Sequence, residues 1–475
     1  MGECQHLLAP GFNRSVRVEA RDEELSGDAG AVLVRDILER TGVLDRLVAH
    51  LHDPRDPRYV THDLKSLICT AVVLIAQGWR PGQDVDRLRD DLAIRIAGSA
   101  RRGDQAADRA LASQPTLSRL LGILTRAGNL EALSEAIMEV AGIRLRAARR
   151  GHRQRYLTLD IDGLPLEVHG HQPGAKWNGH YGGRIYNPLV ASAAETGDML
   201  DTWLRPGNAG SAQDAVRFIR DVVARAKREI CQVAMIRFDA GFPGEELLSA
   251  LEADNTPYIA RLKANKALDR LGAPYKKRPR GRPPKEPRQW CLDLDYQAGT
   301  WDQPRRVIMV VKERPDDLLL DRFYLVTSIP AEQMDAEAVL ARYRERGTAE
   351  GFMGELKSVV DPALSSTPRP KTTYQGVPVL RAVDDGPATD AFARNAALLK
   401  LNLLAYELLH TARTALEAER KEGISLRRLR RLLLVTGTRV IRHSRRLTLV
   451  IERRFADVWA QVCHRLDRWC WAPPP

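Results

Sequence analysis

Hydrophobic positions in the first third of the chain repeat with the period of an α-helix. Apolar residues recur three to four positions apart in segments 32–38, 64–75 and 117–124. A basic run at 144–155 follows these segments. The pattern predicts a helical N-terminal region that covers residues 1–150.

From Tyr156 onward the pattern changes to short strands. The segment 156–162 alternates apolar and polar residues and ends in acids. Further strands are predicted at 187–194, 199–204, 233–239 and 258–262, with helices at 212–227 and 244–251. Three strands, a helix, a strand, a helix and a strand, with a long helix later, is the order of an RNase H-like mixed sheet. Acids that end adjacent strands meet at one edge of such a sheet.

About a hundred residues then separate Asp239 from the next acidic candidate, which is too long for a bare loop. Alternation at 290–295, 305–311 and 323–327 predicts a small β insertion domain there. The predicted fold class is therefore α/β, an RNase H-like core with a β insertion domain and α-helical N- and C-terminal regions. Its parts are residues 1–150 (helical), 151–265 (core, first part), 266–332 (insertion), 333–412 (core, second part) and 413–475 (basic C-terminal region).

One stretch near the end of the core, 343–357, carries an unusual set of charges. On an α-helix, about 100° per residue places Tyr343, Arg346, Glu350 and Lys357 within an arc of roughly 60°. A carboxylate among cationic groups suits a metal ion held against a phosphate. The alternative is a solvated helix with ion pairs between successive turns. Glu355 is predicted to point away from this face.

Composition narrows the classes of function. The net charge of +12 favours a polyanionic partner, with nucleic acid as the first candidate. The six cysteines have no paired spacing, which argues against a disulfide framework or a zinc module and for a cytoplasmic protein. The sequence has no signal-peptide pattern and no apolar run of about 18 residues, so we expect no membrane partner.

The stretch 343–357 resembles the Tyr-Arg-Glu-Lys signature of DDE transposases encoded by bacterial insertion sequences. Asp239-Ala-Gly-Phe242 is similar to that family's second acid in its usual setting. The resemblance implies that Asp162, Asp239 and Glu350 are the catalytic, metal-binding acids, that Tyr343, Arg346 and Lys357 contact DNA phosphates, and that the cofactor is Mg²⁺ or Mn²⁺, with two ions.

The first acid is left open between two residues. In the family the second acid of this strand is the ligand and is usually followed two residues later by Thr or Ser. Here Asp162 has that position, but Leu164 replaces the hydroxyl residue. Asp160 is therefore an alternative ligand, and a catalytically decayed copy is an alternative for the whole chain.

Further DNA-binding residues are predicted outside the acidic cluster. Arg119 lies near the start of a helix that Ser113 would cap, as in a recognition helix, although a capped core helix is the alternative. Arg280 and Arg282 belong to an Arg-Gly-Arg-Pro segment identical to the core of the minor-groove-binding AT-hook, and a flexible basic loop is the alternative. In relatives an insertion-domain Trp stacks on a flipped base. That makes Trp301 a candidate here, with core packing as its alternative.

The resemblance implies cut-and-paste DNA transposition by metal-dependent hydrolysis and strand transfer. The implied partners are double-stranded DNA, as terminal inverted repeats and target, and a second copy of the chain in a homodimer. The location would be bacterial cytoplasm, on the nucleoid when bound to DNA. A decayed transposase that only binds DNA and a non-transposing RNase H-like nuclease are the alternatives.

We interpret His169 and His171 as part of a polar turn rather than as a metal site.

Overall fold

The protein is described by a computed structural model. It describes residues 5–8, 11–13, 15–20, 23–126, 128–148, 156–168, 172–278, 281, 284–315, 317, 319–366, 373–374, 377–378, 386–420 and 423–471. The fold is mixed α/β, with an eight-stranded mixed sheet at its centre and helices on both faces. This confirms the predicted fold class.

The strands are β1 (Gln5–Leu8), β2 (Val18–Ala20), β3 (Leu25–Ser26), β4 (Tyr156–Gly163), β5 (Leu166–Glu167), β6 (Lys176–Asn178), β7 (Gly183–Tyr186), β8 (Leu189–Ala193), β9 (Met199–Trp203), β10 (Gln232–Phe238), β11 (Tyr258–Leu262), β12 (Arg288–Tyr296), β13 (Arg305–Glu313), β14 (Asp321–Thr327), β15 (Thr373–Tyr374), β16 (Val377–Pro378), β17 (Thr438–His443) and β18 (Arg446–Ile451).

The α-helices are α1 (Gly30–Thr41), α2 (Val43–His50), α3 (Leu64–Gln77), α4 (Val85–Leu88), α5 (Leu92–Gly98), α6 (Gln114–Leu124), α7 (Asn129–Ala148), α8 (Ala215–Glu229), α9 (Glu245–Ala253), α10 (Lys266–Gly272), α11 (Ala336–Arg344), α12 (Gly347–Glu355), α13 (Gly386–Arg420), α14 (Leu426–Leu429) and α15 (Arg453–Arg468).

The central sheet has the strand order β12-β13-β14-β11-β10-β4-β8-β9. Strand β4 lies in its middle, antiparallel to β8 and parallel to β10, and β10 is parallel to β11. The first three strands of the core, β4, β8 and β9, thus form one half of the sheet, and β10 and β11 follow on the other side of β4, which is the RNase H-like arrangement. The carboxyl ends of β4 and β10 meet at one edge of the sheet.

The strands predicted for the insertion form, but they extend the core sheet. Strand β14 pairs antiparallel with β11, and β13 and β12 follow it outward. The strands of the predicted insertion are therefore an extension of the central sheet. The physical reason is that β11 would otherwise be an edge strand with unpaired backbone groups, which β14 satisfies.

Two helical layers cover the sheet. Apolar residues of α8 and α9 pack on one face and those of α11 on the other. The largest core cluster joins the N-terminal helices α1, α3 and α7 to α13 and the C-terminal α15, and it reaches the sheet at Val190 of β8 and Met199 of β9. The predicted N-terminal and C-terminal regions therefore share one core with the long helix α13.

The predicted helix over 343–357 is divided in the structure. Helix α11 ends at Arg344 and α12 begins at Gly347, although Glu345 and Arg346 keep right-handed helical dihedral angles. A π-helical turn follows at Leu356–Val360 and carries Lys357. The expectation of one regular helix with four residues in a narrow arc is thus wrong in detail.

Among the described residues, no helix is both long and apolar enough to cross a membrane.

Candidate active site

Two of the predicted acids lie side by side where neighbouring parallel strands end. In the register of β4 and β10, Ile161 pairs with Phe238, and Asp162 and Asp239 each come one residue later. Neighbouring strands are about 4.8 Å apart, so the two carboxylates project from adjacent positions of the sheet edge. Asp162 Oδ1 accepts a hydrogen bond of 2.9 Å from Gly163 N, which orients this carboxylate.

Asp160 occupies a different environment from Asp162. Both oxygens of Asp160 are held by the guanidinium of Arg237 on β10, with Nε to Oδ1 at 2.7 Å and Nη2 to Oδ2 at 2.8 Å. The Arg237 side chain is fully buried and that of Asp160 nearly so, whereas the Asp162 side chain is 18% exposed. Asp160 thus serves as the buried partner of Arg237, and Asp162 faces the open edge.

The ionisation of Asp160 reflects two opposing influences. Burial raises the pKa of Asp160, and the hydrogen bonds and charge of Arg237 work against that rise. We treat the pair as ionised, because a guanidinium keeps its proton and here both carboxylate oxygens accept from it.

The motif Asp239-Ala-Gly-Phe242 has a steric explanation. Asp239 Oδ1 accepts a hydrogen bond of 2.8 Å from Gly241 N, which forms a tight turn after the strand. A Cβ at residue 241 would lie 2.4 Å from Ser211 Oγ and 3.1 Å from Asp239 Oδ1. Phe242 is buried and packs against Phe238, so it anchors the turn in the core. Only glycine fits between the carboxylate and its neighbour.

The segment 343–357 brings cationic groups to this edge. Arg346 is buried and its Nη2 forms an ion pair with Asp162 Oδ2. Its Nε has no hydrogen-bond partner among the described residues. Lys357 is half-buried, and burial lowers its pKa although the charges of Asp162 and Glu167 oppose that shift. Tyr343 is also half-buried; burial and the charges of Asp239 and Asp162 raise its pKa, against the influence of Arg346.

The pKa of Asp162 reflects its burial and the charged groups around it. Burial raises the pKa of Asp162 to about 6, with further upward contributions from Asp239 and Glu350 and a downward one from Arg346. A negative charge near a carboxylate disfavours its ionised form. The charges of the other two predicted acids therefore reach Asp162, although Glu350 itself lies on the exposed side of α12.

The donor set is chemically suited to a hard divalent cation, because carboxylate oxygens are the ligands that Mg²⁺ and Mn²⁺ prefer. The geometry is not that of an assembled site. Within the part of the chain that is described, no three His, Cys, Asp or Glu side chains are close enough to hold one ion. The guanidinium of Arg346 instead neutralises Asp162.

The other predicted DNA-binding residues have different outcomes. Arg119 is exposed on α6, and its role stays a prediction; Ser113 occupies the N-cap position of α6, but its side chain makes no capping hydrogen bond to the backbone. Trp301 is corrected: it is 6% exposed, packs edge-on against Tyr296 and lies under the Arg305 guanidinium, so its ring offers no surface to a base. Arg280, Arg282, His169 and His171 lie outside the described residues.

Sequence reasoning missed two features of this region. Glu355 was predicted only to point away from the charged face, and its partners were missed: it pairs with Arg413 of α13 and accepts a hydrogen bond of 2.9 Å from Leu426 N. The hairpin β6–β7 was not predicted, although its Asn178-Gly179 and Gly182-Gly183 pairs are turn signals. Burial raises the pKa of Tyr181 at its tip, and the negative charges of Asp162 and Asp239 add to that rise.

The chain resembles known proteins in sequence and in structure. A family model described as transposase DDE domain, group 1, matches residues 8–370. Among solved structures, the chain is similar to a piggyBac transposase determined by cryo-electron microscopy as a synaptic complex with hairpin DNA. The TM-score is 0.40 and the identity 12%, over 84% of this chain and 79% of that chain. No curated protein sequence matches the chain.

Proposed function

The chain belongs to the transposase DDE domain group 1 family, and from this premise we propose that it catalyses cut-and-paste DNA transposition. The reaction would be metal-dependent hydrolysis of a phosphodiester at the ends of a mobile element, followed by strand transfer from the freed 3′-hydroxyl. The observation that supports the proposal is that Asp162 and Asp239 follow the ends of neighbouring parallel strands, where Arg346 pairs with Asp162.

Asp162, Asp239 and Glu350 are the residues that would hold Mg²⁺ or Mn²⁺. When bound, such ions activate the attacking oxygen and stabilise the leaving oxygen of a phosphoryl transfer. The raised pKa of Asp162 supports this role. A carboxylate disfavoured as an anion by burial and by its acidic neighbours gains most from a nearby cation.

Arg346 has two possible partners in this scheme. It neutralises Asp162 in the DNA-free protein, and its buried Nε has no hydrogen-bond partner among the described residues. A DNA phosphate offers several strong acceptors to a guanidinium. We therefore infer that a phosphate draws Arg346 away from Asp162 and frees this carboxylate for the metal. Tyr343 and Lys357 would contact neighbouring phosphates.

Leu164 is the residue that suggested a catalytically decayed copy, and its packing explains its presence. Leu164 is 1% exposed, belongs to the main core cluster, and its backbone N donates a 2.8 Å hydrogen bond to Pro188 O. Leu164 is thus accommodated in the core and does not project into the open edge that holds Asp162.

Further contacts with DNA are proposed from charge and exposure. The net charge of +12 favours a polyanion, and Arg119 is exposed on α6. Arg280 and Arg282 remain proposed as minor-groove contacts. We also propose that a homodimer binds the two inverted repeats of the element, since paired ends require two sites.

The experiment is a cleavage assay on the inverted repeats that flank the coding sequence, with Mg²⁺, with Mn²⁺ and with a chelator. Asp239→Asn is the test variant, since it removes one carboxylate charge at the sheet edge. Glu337→Gln is the matched control, since Glu337 is an exposed acid on α11 outside the cluster.

Metal-dependent cleavage by wild type and by Glu337→Gln, but not by Asp239→Asn, is the expected result. Binding of the repeats without cleavage under any metal condition would instead identify a DNA-binding protein without activity. Cleavage without joining to a target DNA would identify a nuclease that does not transpose.

A further inference from the structure

Helix α12, which carries Glu350, is a weak helix by composition. Gly347, Gly351 and Gly354 make up three of its nine residues, and glycine has a much lower helix propensity than alanine. A Cβ at any of the three would meet no described atom within 4 Å beyond the helix itself, so close packing does not require these glycines. The position of α12 therefore depends on the contacts that its larger side chains make with neighbouring elements.

A single guanidinium on α13 contacts two of those larger side chains. Arg413 is 5% exposed, and its Nη1 pairs with Glu355 Oε2. Its Cζ also lies 5.5 Å from the centroid of the Phe352 ring. Phe352 and Glu355 are three positions apart, so they share one face of the helix. Arg413 therefore constrains both the rotation of α12 about its axis and its distance from α13.

The Phe352 ring also packs on the turn between β8 and β9. Gly197 in this turn has φ +79°, and a Cβ at its position would lie 2.5 Å from the ring. Any side chain at residue 197 would thus displace Phe352. Because β8 pairs with β4, the strand of Asp162, this contact joins α12 to the part of the sheet next to the first acid.

Arg413 is itself held in one orientation. Its Nε and Nη2 both donate to His410 Nδ1, at 3.0 Å and 2.7 Å. The ring proton of His410 therefore lies on Nε2, which donates to Thr196 O at 2.8 Å. Burial and the charge of Arg144 lower the pKa of His410 well below its usual value, which keeps this ring neutral. A planar guanidinium fixed in this way is preorganised for its pair with Glu355.

We propose that Arg413 is a positioning residue for Glu350: it holds α12 through Glu355 and Phe352, and so fixes where the Glu350 carboxylate meets the metal. The inference rests on the proposed function, because it needs Glu350 to be a metal ligand. Arg413 acts through α12 rather than on the substrate, since its nitrogens are engaged by Glu355 and His410. Without it, the glycine-rich helix would present Glu350 in several positions.

Three variants test this role in the full chain. Arg413→Met removes the guanidinium, and Arg413→Lys keeps a charge that can reach Glu355. Glu355→Gln removes the ion pair but leaves an amide oxygen that can accept from Leu426 N. Lys400→Met is the matched control, because Lys400 is another buried cation of α13 and pairs at 2.7 Å with Asp201, which lies on β9 and not on α12.

Four quantities are measured for each variant. They are the rate of cleavage of the flanking repeat over a range of Mn²⁺ concentrations, the affinity for Mn²⁺ in a spin-resonance titration, the affinity for the repeat, and the melting temperature. The titration reports on the metal site independently of activity, and the melting temperature shows that a variant folds.

Arg413→Met should cleave about 10- to 100-fold more slowly and bind Mn²⁺ about tenfold more weakly, while it binds the repeat as wild type does. Glu355→Gln should show the same changes to a smaller degree. Combining it with Arg413→Met should add little, because the two groups act as one unit. Arg413→Lys should recover most of the lost Mn²⁺ affinity. Lys400→Met should lower the melting temperature and keep the wild-type Mn²⁺ affinity.

Wild-type cleavage and Mn²⁺ affinity in both Arg413→Met and Glu355→Gln would overturn the positioning role while leaving the proposed function standing. An equal loss of Mn²⁺ affinity in Lys400→Met would also overturn it, since any buried cation of α13 would then have this effect. If Arg413→Met does not fold, Glu355→Gln decides between these outcomes. Failure of wild type to cleave the repeat with any metal would overturn the proposed function and this inference together.

Discussion

Asp162→Asn should make the metal-free protein more stable, which is unusual for a change at a buried position. The pKa of Asp162 is raised from 3.8 to about 6, mainly by burial and then by the acids around it. The folded state therefore binds a proton more tightly than the unfolded state, so this group lowers stability as pH rises from about 4 to 6. An ordinary salt-bridged aspartate has a lowered pKa and therefore adds stability as pH rises.

The size of the effect follows from the shift. About two pKa units at 1.36 kcal/mol each give about 3 kcal/mol of destabilisation once Asp162 is fully ionised. Roughly half of this is already present at pH 5. The Asp162 side chain is only 18% exposed, so solvent screening reduces this destabilisation only slightly. Replacing the carboxylate with an amide removes the charge and should restore up to about 3 kcal/mol at pH 8.

The assay is thermal unfolding of wild type and Asp162→Asn at pH 5 and pH 8 in chelator, then with Mg²⁺. The variant should melt higher than wild type, by a larger margin at pH 8 than at pH 5. Mg²⁺ should raise the melting temperature of wild type and leave the variant unchanged, because only a bound ion stabilises the folded state. A variant that melts lower than wild type at pH 8, or a margin independent of pH, would refute the electrostatic reasoning.

Three further changes test the geometry around the acids. Asp160→Asn should lower stability by about 3 kcal/mol, because the fully buried Arg237 donates to both oxygens of Asp160, whereas Arg346 meets Asp162 through one nitrogen; the variant should keep Mn²⁺ binding in a spin-resonance titration. Gly241→Ala should reduce cleavage with repeat binding retained, since the new methyl would displace Asp239 or its neighbour; full activity would contradict this. Arg346→Met should raise Mn²⁺ affinity in the absence of DNA, and reduce repeat affinity with a salt slope lower by about one. Unchanged metal affinity would show that the guanidinium does not compete with the ion.

The strands and helices of the core were predictable because burial imposes a clear period on them. Strand β11 begins and ends where alternation predicted, and the order of elements around β4 was sufficient to indicate the RNase H-like sheet. The attachment of β14 to β11 was not predictable, since pairing between distant strands leaves no local signal.

The choice between Asp160 and Asp162 could not be made from the sequence. Residues two apart on a strand point to the same face, so periodicity treats both acids alike. Arg237, 77 residues away from Asp160 in the chain, distinguishes them by occupying both oxygens of Asp160. The prediction that Trp301 stacks on a base was wrong for a related reason. Whether a lone tryptophan is buried depends on tertiary neighbours such as Tyr296.

For Glu355, helical periodicity correctly predicted the direction of the side chain but not its partner. Glu355 points away from Glu350, as predicted, and on that side Arg413 of α13 pairs with it. Glu355→Gln is therefore not a neutral control, and an exposed acid such as Glu337 serves that purpose better.

The central claim is that Glu350 completes a catalytic site with Asp162 and Asp239. The most direct measurement is cleavage and binding of the flanking repeats by Glu350→Gln in Mg²⁺, beside Glu337→Gln. We predict that Glu350→Gln binds the repeats as wild type does and does not cleave them, while Glu337→Gln does both. Cleavage by Glu350→Gln at the wild-type rate would contradict the claim.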